Sequence, residues 1–276
     1  MFVLFLGFLG GASSDARADA FSYSELSVSF GQVKNFSCGA SPGGVCGAAA
    51  VVNSFVYLQN IYPTIYGTGL AGETLADQTD AATQFADTGW TANGQFYQGY
   101  YTRCGAACSL DVYTTTEQDW ITTHGIGVGS TVLSTYYSGS PLNNRAPTIN
   151  DLAQEIKDQE DVELFVKGTY ATGPKMGQSF AHAITLTAIS CDASMNCNIT
   201  YQDPNNPASP QTVAIDVNTL QFSNLPASGI TGTAQIYAEF AESPVPELNP
   251  SSGTSGLVLV AGAVLMIRGR RKIPTS

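Results

Sequence analysis

The sequence describes an acidic chain of 276 residues with a formal net charge of −11, in which 43% of the residues are hydrophobic and 12% are charged. Residues 21–247 hold six Lys or Arg residues against 20 Asp or Glu residues. Such a surface repels phosphate groups, which excludes a nucleic-acid-binding function. The length suits one domain with a substantial core, and the low charge content is typical of an exported protein.

The chain begins with an apolar segment over residues 1–10. Small residues spaced for signal-peptide cleavage follow at Ala16, Ala18 and Ala20. This order predicts a secretory signal peptide over residues 1–20, and the alternative is a buried N-terminal strand.

A helix with a cysteine at its start is the main feature of the first half. Gly44 leads into Cys46, and an apolar run without proline continues to Leu58. The pattern predicts a buried helix with Cys46 in its first turn. A thiol there lies beside unpaired backbone N–H groups and the positive end of the helix dipole, which favour the nucleophilic thiolate. The alternative is an inert buried cysteine.

The remaining elements separate into helices followed by strands. Residues 22–36 predict a strand or an arm, and helices are predicted over 75–85 and 115–123. Thr148 and Asp151 form a variant capping box that starts a helix ending near Gln159. Strands are predicted over 162–168, 183–189, 198–202, 212–216 and 233–240. This segregation predicts an α+β domain over residues 21–242.

Six cysteines in an exported chain predict disulfides. Cys191 and Cys197 flank a predicted turn, and Cys104 and Cys108 enclose three small residues, so both pairs are expected to bond. Two possibilities remain for the other cysteines: Cys38 bonds to Cys46, which would abolish the nucleophile, or Cys38 is free or bonds elsewhere. Zinc is not expected, because the cysteine spacing is wrong and the chain has just two histidines, His124 and His182.

A histidine and an acid are predicted to meet at the open end of a hairpin. If Cys191 faces Cys197, His182 lies opposite Asn206, with Asp203 and Asn205 within three residues. A bulge or the twist of the hairpin decides which of these reaches the ring. Asp203 is favoured because a carboxylate stabilises an imidazolium, and the imidazole would accept the proton of the Cys46 thiol.

The segments around Cys46, His182 and Asp203 resemble the three motif blocks of papain-like cysteine peptidases. The first block is closest to immunoglobulin-degrading Mac-type enzymes, and the other two are also similar to bacteriocin-processing double-glycine peptidases. The resemblance implies a nucleophile helix, in a helical N-terminal half, packed on a C-terminal antiparallel sheet. It also implies an oxyanion donor before the nucleophile, for which Gln32 and Lys34 are the candidates. Cys38 as the nucleophile is a minor alternative.

The C-terminal residues 243–276 resemble a PEP-CTERM sorting signal. Pro246 and Glu247 precede a short apolar run over 257–267 and a basic end. The resemblance implies export, tethering in the inner membrane, and cleavage by an exosortase before display at the cell surface or release. The alternative is an ordinary membrane anchor.

Together these features predict an exported thiol endopeptidase that cleaves protein or peptide substrates and needs no cofactor. Cys46 would be the nucleophile, His182 the base, Asp203 the residue that orients it, and Gln32 an oxyanion donor. The alternatives are a transglutaminase-like acyl transferase and a non-catalytic matrix or adhesion protein that keeps the fold.

Overall fold

The computed structural model describes residues 20–25, 29–37, 44–104, 108–124, 131–140 and 143–244. Nearly all of the predicted signal peptide and of the predicted sorting signal lies outside these ranges. No helix in the described ranges is both long enough and apolar enough to span a bilayer.

The described α-helices all lie before residue 158. Their bounds are α1 (Cys46–Ile61), α2 (Pro63–Tyr66), α3 (Leu75–Thr83), α4 (Tyr100–Cys104), α5 (Leu110–His124) and α6 (Ile149–Lys157). A π-helical turn over Gln84–Thr88 extends α3. The predicted capping box is confirmed: Thr148 accepts a hydrogen bond from the Asp151 N–H, and the Asp151 carboxylate accepts one from the Thr148 N–H.

The described strands are β1 (Phe21–Ser24), β2 (Trp90–Ala92), β3 (Gln95–Tyr97), β4 (Thr131–Tyr137), β5 (Asn143–Asn144), β6 (Asp161–Thr169), β7 (Ser179–Cys191), β8 (Cys197–Gln202), β9 (Gln211–Ile215), β10 (Gln221–Leu225) and β11 (Ile230–Pro244). The five strands predicted from the sequence correspond to β6, β7, β8, β9 and β11. The sequence did not predict β2, β3, β4, β5 or β10. Of the strand or arm predicted over 22–36, the described residues form a strand only at its start, in β1.

The main sheet contains a closed circuit of six antiparallel strands. Neighbours pair in the order β7, β8, β9, β10 and β11, and β6 pairs with both β11 and β7. Apolar side chains fill the inside of the circuit, among them Leu164, Leu186 and Ile199. β1 pairs with β7, and β4 pairs with β11.

Helix α1 packs on the outer face of β6 and β7. Because side chains alternate along a strand, β6 directs Leu164 into the circuit and Phe165 toward the helical layer. On β7 the Thr185 hydroxyl donates to the Ala50 carbonyl of α1 at 3.3 Å. The small residues Ala48, Ala49 and Ala50 are buried at this contact. The N-terminal end of α1 therefore lies beside the first half of β7.

Both predicted disulfides are present, Cys104–Cys108 and Cys191–Cys197. Cys46 has a free thiol. Cys38 lies outside the described residues, so its role as an alternative nucleophile stays a prediction.

Candidate active site

Cys46 is the first residue of α1, as the sequence predicts. The chain before it is held by the Val45 N–H, which donates to the Phe36 carbonyl at 2.9 Å and to Asn35 Oδ1 at 2.8 Å. Behind it, Tyr113 of α5 donates its hydroxyl proton to the Gly47 carbonyl at 3.0 Å. A Cβ on Gly47 would lie 3.2 Å from the Tyr113 ring, so the close packing favours glycine here. These contacts fix the position of the partly exposed thiol.

His182 and Asp203 meet at the open end of the β7–β8 hairpin. His182 Nε2 lies 2.9 Å from Asp203 Oδ1, and both side chains are buried. The predicted register is confirmed from Cys191 opposite Cys197 back to Ala188. A bulge between Leu186 and Ala188 then shifts the pairing by one residue. The predicted proximity is therefore confirmed, and it is Asp203, not Asn205 or Asn206, that reaches the ring.

The thiol and the imidazole line the same cleft and interact electrostatically. Burial acts to raise the pKa of Cys46, but the hydrogen bond and the charge of His182 outweigh it and lower the pKa below its ordinary 9.0. Hydrogen bonds with the backbone of Ala183 and Gly47 act in the same direction. Because Asp203 occupies Nε2, Nδ1 is the ring nitrogen left for the thiol.

The charge on the imidazole is stabilised from both sides. Burial acts to lower the pKa of His182, but Asp203 and Cys46 raise it to about 10. The pKa of Asp203 is lowered despite burial, because His182, Ser228 and the Asn205 N–H donate hydrogen bonds to its carboxylate. Each of these shifts favours the charged form of its group, that is, a thiolate, an imidazolium and a carboxylate in sequence.

Ser228 is a fourth member of the site that the sequence did not reveal. It ends the short 3₁₀ turn Pro226–Ser228 between β10 and β11. Its hydroxyl donates to Asp203 Oδ2 at 2.6 Å, and its oxygen lies 3.0 Å from His182 Nε2. Asn205 Nδ2 donates to the same oxygen at 2.7 Å. Ser228 therefore bridges the imidazole and the carboxylate.

Gln32 does not lie at this site. Its segment is attached to the middle of α1, because Asn53 Oδ1 accepts from the Val33 N–H at 2.7 Å and Asn53 Nδ2 donates to the Val33 carbonyl at 3.0 Å. Gln32 is exposed and lines a separate cleft with Val56. Val56 is ten residues after Cys46, or about 15 Å along the helix. The predicted oxyanion role of Gln32 is thus not supported by its position.

Asn35 contacts the site from the same N-terminal segment. Besides accepting from Val45, it donates from Nδ2 to Asn205 Oδ1 at 3.0 Å, and its N–H donates to the Pro204 carbonyl at 2.9 Å. The exposed residue before it, Lys34, does not line the cleft. Asn35 joins the chain before the nucleophile to the turn after Asp203.

Cys46 and His182 open onto a cleft of about 330 Å³. Its walls are largely aromatic and include Tyr100, Tyr101 and Phe165, with Tyr237 on the strand side. Burial and the negative charge of Cys46 both raise the pKa of Tyr237, so its hydroxyl is a neutral donor near the sulfur. The cleft is large enough to hold an apolar side chain of a substrate beside the thiol.

His124, the second histidine, is not part of the site. Its ring stacks on Trp120 with 3.9 Å between centroids, in the aromatic core beside α5. Burial lowers its pKa.

No protein-family model matches the sequence, and no curated protein is significantly similar to it. The class of site therefore rests on geometry, which is that of a cysteine–histidine–aspartate constellation built on a helix N-terminus and a β-hairpin.

Proposed function

We propose that this domain is a cysteine peptidase that cleaves peptide bonds through Cys46, His182 and Asp203. The observation that carries the proposal is a free, partly exposed thiol that lines one cleft with His182, which is in turn hydrogen-bonded to buried Asp203. Three groups far apart in the sequence are positioned for nucleophilic catalysis, and a cleft adjoins the sulfur.

The reaction would proceed in two steps. The Cys46 thiolate attacks the scissile carbonyl carbon, and the C–N bond breaks as the His182 imidazolium protonates the leaving amine. A thioester between Cys46 and the acyl half remains. His182 then accepts a proton from water, the hydroxide oxygen attacks the thioester carbonyl, and the thiolate leaves with the electron pair. Asp203 and Ser228 hold Nε2 of the imidazole, so the opposite nitrogen stays toward the sulfur in both steps.

The oxyanion of the tetrahedral intermediates would be stabilised by backbone donors at the start of α1. The first N–H groups of an α-helix have no partner within the helix, and they carry the positive end of its dipole. The Cys46 N–H belongs to the nucleophile residue itself and is the proposed donor. This replaces the expectation that Gln32 supplies the donor.

We also propose that the protein is exported, as its leader and its tail predict. The disulfides Cys104–Cys108 and Cys191–Cys197 support an oxidising compartment. Tethering in the inner membrane and exosortase cleavage rest on residues 243–276 alone. Intact mass measurement of the protein recovered from its native host tests the cleavage: an end near Glu247 is expected, and an intact C-terminus would contradict it.

The activity is tested with a mixed peptide library and mass-spectrometric detection of new termini. Wild-type protein should cleave peptides and lose this activity after iodoacetamide treatment, and Cys46→Ala should show no cleavage. Ser109→Ala, which also alters a cleft residue, is the matched control and should retain most activity. Full activity in Cys46→Ala would disprove the assignment.

Two further outcomes distinguish the alternatives. With a primary amine added, crosslinked product in place of hydrolysed product would indicate a transglutaminase-like acyl transferase. If no cleavage occurs and a peptide carrying a thiol-reactive group fails to label Cys46, a non-catalytic matrix or adhesion role is indicated.

A further inference from the structure

A second cluster of ionisable groups lies in the interior, between the helical layer and the sheet. It consists of Glu117 on α5, Asp161 and Glu163 on β6, and Glu242 on β11, with Ser54 of α1 facing Asp161 and Glu163. We call these five residues the acidic pocket. All five are fully buried.

The acidic pocket lacks partners within the described part of the chain. Neither carboxylate oxygen of Glu117, Glu163 or Glu242 has a hydrogen-bond partner there, and the same holds for the Ser54 hydroxyl. Asp161 uses one oxygen to accept the Glu242 N–H at 3.1 Å and leaves the other without a partner. The ion pairs of the described residues all lie elsewhere. Burying several carboxylates without a compensating charge is strongly unfavourable.

The spacing of these oxygens fits a bound cation. One carboxylate oxygen each from Glu117, Glu163 and Glu242 lie within 4.8 Å of one another. Ca²⁺ binds oxygen at roughly 2.3–2.6 Å, so oxygens on opposite sides of one ion are about 5 Å apart. The Ser54 hydroxyl oxygen and the free carboxylate oxygen of Asp161 are further candidate ligands in the same pocket. The first is neutral and the second is anionic.

We propose that the acidic pocket is a calcium-binding site, with Glu117, Glu163 and Glu242 as its principal ligands. The donors are all oxygen, which selects a hard cation over Zn²⁺ or Cu²⁺. Mg²⁺ usually keeps several water ligands, and a fully enclosed pocket favours an ion that accepts an all-protein shell. Protons are the competing way to neutralise the carboxylates.

The position of the acidic pocket indicates a structural role for the bound ion. Ser54 is eight residues after Cys46, about 12 Å along α1. Glu163 precedes the cleft residue Phe165 by two positions on β6. A bound ion would connect α1, α5, β6 and β11 beneath the cleft, without contact with the thiol. We therefore expect calcium to stabilise the fold that presents Cys46, and this expectation does not depend on peptidase activity.

The test uses the full-length protein, stripped with EGTA and dialysed against CaCl₂, with bound metal measured by mass spectrometry. We expect about one Ca²⁺ per chain and a higher Tm in calcium than in EGTA, with a smaller rise in Mg²⁺. Glu163→Gln and Glu242→Gln should each weaken calcium binding at least tenfold.

Glu239→Gln is the matched control. Glu239 lies on the same strand as Glu242, is also fully buried and unpartnered, but is placed on the other face of β11. It should keep the calcium-dependent rise in Tm. If wild-type protein binds no calcium and has the same Tm in calcium and EGTA, the proposal is wrong. In that case Glu163→Gln should raise Tm in both buffers, as expected for carboxyls neutralised by protons. The wild-type measurements decide the question even if a variant fails to fold.

Discussion

Removing the Cys46 thiol should change how stability depends on pH. Burial raises the pKa of this thiol, but the hydrogen bond and the charge of His182 lower it below 9.0, its ordinary value and the value expected in the unfolded chain. A group whose pKa is lower in the folded than in the unfolded protein stabilises the fold fully above its unfolded-state pKa. This stabilisation is lost as the pH falls through the folded-state pKa. The contribution of Cys46 therefore grows as pH rises toward 9.0.

The size of the effect follows from proton counting. Because its pKa is lowered, the folded protein releases the thiol proton at a lower pH than the unfolded chain does. Wherever the folded thiol has ionised and the unfolded one has not, wild type should gain stability relative to Cys46→Ala, at up to about 1.4 kcal/mol per pH unit. Groups away from the site titrate alike in both proteins and cancel. In the variant His182 loses the part of its raised pKa that comes from Cys46 and keeps the part that comes from Asp203.

Urea unfolding of both proteins at several pH values between 6.5 and about 8 measures the difference directly. Ser109→Ala, at a cleft residue without a thiol, should differ from wild type by a constant amount. A difference between wild type and Cys46→Ala that is also constant would mean that the folded thiol is neutral, and the thiolate–imidazolium pair would be refuted.

Further predictions concern the groups around the site and the fold. Asp203→Asn should lower kcat by about 100-fold or more. Asp203→Asn should also move the alkaline limb of the pH–rate profile to lower pH, because His182, whose pKa is about 10 in wild type, loses its carboxylate partner. An unmoved limb would argue against Asp203 as the residue that raises this pKa. Ser228→Ala should reduce kcat about tenfold with KM nearly unchanged, since its hydroxyl positions Asp203 at 2.6 Å; a change confined to KM would contradict a positioning role. Thr148→Ala should cost about 1 kcal/mol in urea unfolding through loss of the helix cap, with activity retained. Asn53→Ala should cost about 2 kcal/mol, because two buried hydrogen bonds to the N-terminal segment are lost, and unchanged stability would show that this attachment is unimportant.

The sequence predicts those elements that carry a strong local signal. The helix from Cys46, the capped helix after Thr148 and the strands with alternating apolar residues all occur in the structure. β10 contains two apolar residues, Phe222 and Leu225, among polar ones, so the alternation of apolar and polar residues that identifies a strand is weak. β4 lies in the Gly- and Thr-rich middle of the chain and is held by pairing with β11, a long-range contact that no local pattern reveals.

A site residue could be predicted from the sequence where a local pattern assigned it to a particular helix or strand. Cys46 at a helix start and His182 at a strand start are local signals, and the disulfide sets the hairpin register that brings Asp203 near. The choice among Asp203 and its neighbours depends on a bulge between Leu186 and Ala188, which a register count cannot foresee. Ser228 lies in a turn 46 residues after His182 in the sequence, and no local sequence pattern identifies it as a site residue.

The hairpin has a consequence for the order of folding. His182 and Asp203 are separated by 21 residues and joined through a turn that the Cys191–Cys197 bond closes, so they can meet through local chain closure. Cys46 must reach them across more than 130 residues, and closing a loop of that length costs roughly 1.7 kcal/mol more than closing the hairpin. We therefore expect the nucleophile to meet its activating partner after the hairpin has formed, so that the thiol keeps its ordinary pKa of 9.0 until then.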